Sequence, residues 1–271
     1  MFTNMQKIIL LVLVVSMLFA CRKSDRDQDK TIKTSQDYAT AQSMSQDVFK
    51  MVHQAAMSSQ GIVANPLTSA TTLFGCDTII VDTTTNPMWL KIQFNTDCAN
   101  NGVIRNGEIK AQFTSKYDML GTTAKISFNN YYHNGYYFEG VLNYSFTSNT
   151  NNQPIFVMIA NDFRIDEGRK NRAIYFSTNQ NFTIESGATT ADFTDDTYKI
   201  TGTATGRAFA GNSFSASTDG LTQLGNCNWV SSGTALVTPE KLAVRTLDFG
   251  SGCDNIGTVL LYGATYEVTF P

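Results

Sequence analysis

From Leu73 onward the chain alternates apolar and polar residues with a period of two. Met88, Leu90, Ile92 and Phe94 alternate with Trp89, Lys91, Gln93 and Asn95. Ile109, Ala111 and Phe113 oppose Glu108, Lys110 and Gln112, and Ala124, Ile126 and Phe128 oppose Lys125, Ser127 and Asn129. Tyr136, Phe138, Leu142, Tyr144 and Phe146 share one side, as do Tyr198, Ile200 and Ala204, and again Tyr266, Val268 and Phe270. Such segregation predicts antiparallel strands with one buried and one wetted face. Ile155 to Ile159 is apolar on both sides, which places it centrally in a sheet. Turn signals separate the runs at short intervals: Asn106-Gly107, Asn134-Gly135, Gly211-Asn212 and Tyr262-Gly263. Roughly a dozen strands result, joined by short connections, so neighbours in sequence pair as a meander.

One segment breaks the rule. Between Asp37 and Ser58 the apolar residues Ala41, Met44, Val48, Met51, Val52 and Ala55 recur at spacings of three and four. This predicts a helix with a single apolar stripe, capped by Thr34 or Ser35 and followed by Gly61. His53 lies off the stripe and reads as solvent-facing. The fold class expected is all-β: a large antiparallel meander, curled or folded into a sandwich or half-barrel, with one N-terminal α-helix.

The chain also repeats a cassette. Ile92-Gln93-Phe94 leads to Cys98, with Asn100 and Gly102 two and four residues on. Leu247-Asp248-Phe249 leads to Cys253, with Asn255 and Gly257 at the same offsets. An earlier cysteine precedes each copy, Cys76 and Cys227. Four cysteines allow three pairings, and the repeat selects Cys76–Cys98 and Cys227–Cys253, each bridging strands of its own cassette.

The N-terminus indicates the compartment. Lys7 precedes an unbroken apolar run, Ile8 to Val15, and Ala20 lies just before Cys21. This is the arrangement of a secretory signal, and it is too short for a membrane span. Leu18-Phe19-Ala20-Cys21 resembles the lipobox of bacterial lipoproteins. The resemblance implies acylation of Cys21 and attachment to a membrane. The expected organisation is a signal peptide over 1–20, a polar tether over 21–36, the helix over 37–60 and a β domain over 61–271. Within that domain the cassettes cover about 70–146 and 173–271.

Charge and candidate chemistry narrow the function by exclusion. A net charge of -3, with lysines and arginines dispersed along the chain, lacks the clustered basic surface that nucleic acid requires. There is no Gly-x-Ser-x-Gly elbow and no CxxC, and the histidines are His53 and His133 alone. His133 falls in the Asn134-Gly135 hairpin and reads as exposed. Glu108, Glu139 and Glu267 occupy wetted strand positions but form no pair at a defined separation. Asp192, Asp195 and Asp196 cluster without the glycine and terminal Glu of a calcium loop. No cofactor or metal is implied, and an enzyme is not expected. The best candidate for binding is the aromatic group Tyr131, Tyr132, Tyr136 and Tyr137 around the hairpin. Such side chains can stack on sugars or anchor a partner, and they can also simply stabilise the hairpin.

Asn228-Trp229-Val230-Ser231-Ser232-Gly233-Thr234, followed by Leu247-Asp248-Phe249-Gly250-Ser251-Gly252-Cys253-Asp254-Asn255, resembles a C-terminal signature of uncharacterised Bacteroidota lipoproteins. These also carry a lipobox and a short helix. The resemblance implies an outer-membrane lipoprotein, periplasmic or exposed at the cell surface, and brings no catalytic residues. Fimbrillin-type pilus subunits share the lipobox and an all-β body, but no pilus-specific motif is present. The expected function is a membrane-anchored binding or interaction module for a glycan or a protein partner. The alternative is a carrier whose half-barrel holds an apolar ligand beneath the helix. A glycoside hydrolase and a pilus-type subunit fit less well.

Overall fold

The computed structural model describes residues 31–168 and 172–271. The expected signal peptide, Cys21 and residues 21–30 of the expected tether lie outside the described residues. Among the described residues one α-helix, α1 (Lys33–Met57), is followed by β1 (Asp77–Asp82), β2 (Met88–Asn100), β3 (Val103–Phe113), β4 (Thr123–His133), β5 (Tyr136–Glu139) and β6 (Val141–Thr150). Then come β7 (Gln153–Glu167), β8 (Ala173–Ser186), β9 (Thr197–Arg207), β10 (Ser213–Leu224), β11 (Ser232–Pro239), β12 (Arg245–Ser251), β13 (Ile256–Leu261) and β14 (Ala264–Thr269). All fourteen described strands belong to one antiparallel sheet, and its order follows the chain. The single exception is local: β5 and β6 are one strand interrupted at Gly140, and both pair with β4 on one side and β7 on the other.

The meander is therefore as expected, and its hairpins follow the turn chemistry. At the β4–β5 turn Asn134 and Gly135 have φ of 49° and 80°, the left-handed pair that matches the twist of the flanking strands. β7 is central, as its composition suggests, but it is covered on one side only. Phe156 and Met158 are buried, whereas Ile159 is exposed.

The sheet wraps around α1, where the sequence pattern suggested a helix lying on one face. Every residue from Asp37 to Ala56 is buried. Tyr38 meets Phe176 of β8 and Phe214 of β10. Phe49 meets Tyr144 of β6, Phe156 of β7, Phe182 of β8 and Tyr198 of β9. On other sides α1 reaches Arg105 of β3, His133 of β4 and the connection holding Cys227. At 25 residues the helix is about 37 Å long. One open meander of fourteen strands can bury its apolar face only by curling, and α1 fills the space inside the curl.

Enclosure of a largely polar helix has a condition. A buried polar group favours the enclosure only with a partner, because leaving one unpaired, as the Gln46 amide and the Ser43 hydroxyl are here, costs about 1–3 kcal/mol. Gln42 meets it by exchanging two amide hydrogen bonds with Gln180 of β8, at 2.9 and 2.8 Å. Asp37 accepts from the Phe209 N–H at 2.9 Å. Gln36 donates to the Thr269 carbonyl at 2.6 Å. The helix starts at Lys33, one turn before the expected Asp37. Neither Thr34 nor Ser35 caps it; both are buried, and the N-cap is Ile32 with no side-chain cap.

Both expected cysteine pairs are present, with Cα separations of 5.3 and 5.5 Å. Cys76 directly precedes β1 and Cys98 lies within β2, so the first bridge ties strands. Cys227 and Cys253 lie in the β10–β11 and β12–β13 connections, so the second ties two loops. The cassettes also meet each other. Asn228 donates its side-chain amide to the carbonyls of Asn100 and Asn101, at 2.9 and 3.2 Å. Trp229 packs against Gly102, where a Cβ would come within 3.0 Å of the indole.

Candidate functional site

Three regions carry the groups capable of chemistry or recognition. The first lies inside. Arg105 and His133 are directly opposed in the β3–β4 register, and both reach inward to Asp47 of α1. Arg105 places Nη2 at 2.6 Å and Nε at 3.2 Å from Asp47 Oδ2, and His133 Nε2 is 3.4 Å from the same oxygen. Lys50, one turn along the helix, is 3.5 Å from Asp47 Oδ1. Its ammonium also donates to the Cys227 carbonyl and, at 3.4 Å, to Asn228 Oδ1. The Phe74 ring lies 4.7 Å from the Arg105 guanidinium.

All four charged or titratable side chains here are buried. Burial by itself would raise the Asp47 pKa; Arg105, Lys50 and the His133 hydrogen bond outweigh it and hold the carboxyl well below its usual range. Burial lowers the Lys50 pKa, and Asp47 offsets this only in part while Arg105 adds to it. Burial also lowers the His133 pKa, against the attraction of Asp47, so the imidazole is neutral at pH 7. The group thus contains two cations, one carboxylate and a neutral ring. With Lys50 protonated it carries one uncompensated positive charge.

The second region opens over Lys50. A cleft of about 360 Å³ lies where the two cassettes meet. Asn100 and Asn101 come from the first cassette and Asn226 and Asn228 from the second, with Phe74 and Phe193 as aromatic walls. Asp192 stands on its exposed rim and caps the 3-10 turn Phe193–Asp195 by accepting from Thr194.

The third region is the outer face of the sheet, where the four tyrosines part company. Tyr131 is fully buried against Phe94, Phe128 and Phe138, which corrects the expectation of an exposed aromatic. The β3–β4 register shifts beside it, and Asn130 has φ of 48°. This irregularity reverses which side chains face in, so Phe128 and Tyr131 both point inward. Tyr136 is half-buried against Phe209, beside Asp37 and Arg172 in a separate cleft of about 270 Å³. Only Tyr132 and Tyr137 remain together outside, directly opposed across β4 and β5 with ring centroids 5.3 Å apart.

From this pair a row of polar and aromatic side chains crosses the sheet. Glu139 opposes Arg164, Arg164 opposes Tyr175, Tyr175 opposes Arg207, and Arg207 opposes Ser213. Arg164 pairs with both Glu139 and Asp166. Arg207 places its guanidinium 4.3 Å over the Tyr175 ring. An open groove of about 550 Å³ follows the row between Asp162, Tyr175 and Arg207.

Both histidines also depart from expectation. His53 is buried, with Nδ1 at 3.0 Å from the Tyr117 hydroxyl and its ring among Phe49, Phe156 and Tyr198. His133 is buried on Asp47. The other carboxylates are dispersed: Glu108 pairs with Lys91, Asp195 accepts from Thr190, and Asp196 accepts from the buried Tyr198 hydroxyl at 2.6 Å. Met44, Val48 and Met51, beneath which a carrier would hold its ligand, are fully buried in the packed core. Comparison with protein-family models, curated proteins and solved structures finds no match to this chain.

Sequence reasoning missed the Asp47 group, although a signal for it exists. Arg105 shares the strand parity of Ile109, Ala111 and Phe113, so it belongs to the inward face. An arginine pointing into a core requires a buried acid, and α1 carries Asp47 off its stripe.

Proposed function

We propose that this protein is a non-catalytic binding module, held outside the cytoplasm by acylation at Cys21, that takes a neutral glycan chain on the outer face of its sheet. The observation that carries the reading is the row running from Tyr132 and Tyr137 through Arg164 and Tyr175 to Arg207. From β4 to β9 it spans four strand spacings, about 19 Å at ~4.8 Å each, the length of a short oligosaccharide. Aromatic rings that are apolar on the face and polar at the tip suit sugars. The charges along the row are mixed: Arg164 pairs with Glu139 and Asp166, and Arg207 and Asp162 line the same groove. Such a surface offers directed hydrogen bonds without a net field, which favours hydroxyl groups over an ionic partner. A polar tether and a body tied by two disulfides suit display from a membrane. The resemblance to Bacteroidota lipoproteins supports the same location.

The test is binding to a panel of neutral polysaccharides (β-glucans, mannan, xylan), with alginate and heparin as acidic comparators. Tyr132→Ala/Tyr137→Ala and Tyr175→Ala/Arg207→Ala should each weaken retention at least tenfold while the protein still melts cooperatively. Binding untouched by either double change would remove the row as the site. Equal fatty-acid labelling of the parent and of Cys21→Ala would remove the anchor.

A further inference from the structure

We infer that the cleft between the two cassettes is a second binding site, for a small organic carboxylate seated against Lys50. The argument starts from charge. Arg105 and Lys50 are both buried, and both face the same single carboxylate, Asp47. A buried cation left without a counter-charge is costly, and Arg105 already holds Asp47 Oδ2 through two of its nitrogens. Lys50 has only the longer contact to Oδ1. It is also the member of the group that lines the cleft, so a counter-ion arriving from solvent meets Lys50.

The three Lys50 donors each face an acceptor, so a ligand must displace one of them. Of the acceptors on Lys50, the Cys227 carbonyl is the tight one, while Asn228 Oδ1 is a neutral amide oxygen at 3.4 Å. A carboxylate oxygen can take the place of that weak acceptor and form a charge-assisted bond, which is shorter and about twice as strong. The walls fit an organic anion better than an inorganic one. Phe74, Leu73 and Phe193 supply apolar surface, and Asn100, Asn101 and Asn226 supply polar edges. The volume of about 360 Å³ lies within the range of small-molecule sites, and such sites favour junctions between structural units. Asp192 adds negative charge at the rim, but it is exposed and screened by solvent, whereas Lys50 lies in the low-dielectric interior.

Benzoate, hexanoate and succinate serve as probes, with sulfate and phosphate as inorganic arms and sodium chloride holding ionic strength constant. The full chain should melt at temperatures that rise with the logarithm of benzoate or hexanoate concentration, as expected for a ligand that binds only the folded state. Lys50→Met leaves Asp47 and Arg105 as a one-to-one pair; it should fold and bind benzoate at least tenfold more weakly. Tyr132→Ala should respond like the parent, which separates this site from the glycan row. The inference is overturned if the parent responds to carboxylates no more than to chloride, or if folded Lys50→Met responds equally. It is also overturned if sulfate or phosphate binds as tightly as benzoate. Should Lys50→Met fail to fold, titration of the parent followed at the Lys50 Cε resonance decides: a saturable shift supports the site, and an unmoved resonance removes it.

Discussion

Two sides of α1 are equally buried and chemically opposite. Phe49 is 1 % exposed and Asp47 is 0 % exposed, and two helical positions place them about 200° apart around the axis. On the Phe49 side the helix meets rings: Phe182 at 4.4 Å, Tyr144 at 5.1 Å and Phe156 at 5.5 Å between centroids. On the Asp47 side it meets a guanidinium, an ammonium and an imidazole. Dispersion holds the first side, as the sum of many individually weak contacts, so the loss of one of them is graded. Ion pairing in a dry interior holds the second, and there the removal of one partner strands the others. Burial therefore says little about robustness until the chemistry of the contact is named.

The contrast can be broken most severely at Asp47. Asp47→Asn keeps the shape but leaves Arg105 and Lys50 buried without a counter-charge. It should destabilise the protein by about 3–5 kcal/mol in urea unfolding. A loss below about 1 kcal/mol would mean that water reaches the group and screens it.

A second effect follows from His53, which sits among the rings of the aromatic side. Burial pushes its pKa down from 6.5 to about 3. Between those values the unfolded chain takes up a proton that the folded chain refuses, so stability falls as pH drops through that window. The slope is up to about 1.4 kcal/mol per pH unit. Asp37 and Asp196 oppose this, because burial pushes both carboxyls up to about 6. The folded chain keeps protons there that the unfolded chain releases above about 3.8, so stability falls as pH rises from there through 6. Comparing the parent with His53→Phe isolates the histidine. The variant should gain on the parent by about 2 kcal/mol between pH 6.5 and 5. A difference that stays flat with pH would show that His53 accepts its proton in the folded state.

The smallest effect is expected at Phe49. Phe49→Leu keeps an apolar group of similar volume and should cost under about 1.5 kcal/mol, with cooperativity retained. A larger loss, approaching that of Asp47→Asn, would show that ring-on-ring geometry rather than apolar volume holds this side.

How much of this was legible depended on the range of the interaction. Alternation along Met88–Asn95 and Glu108–Phe113, the Asn134-Gly135 turn and the repeated cysteine cassette are local signals. From them the sequence by itself determined a single meander of antiparallel strands, one helix and the pairing of Cys76 with Cys98 and Cys227 with Cys253. The stripe of Ala41, Met44, Val48 and Met51 was read correctly as core. The remainder of the helix was not, because a stripe marks the face that is certain to be covered and leaves the other faces undecided. Whether Asp47, Lys50 and His53 meet water or protein depends on how far a sheet curls, and that is the sum of small twists over fourteen strands. The same holds for the tyrosines. A one-residue irregularity at Asn130 sends Tyr131 inward and leaves Tyr132 outside. The meeting of the two cassettes, with Lys50 beneath the cleft they form, was likewise settled only in three dimensions, because residues more than a hundred positions apart in the chain become neighbours only once the sheet has closed around the helix.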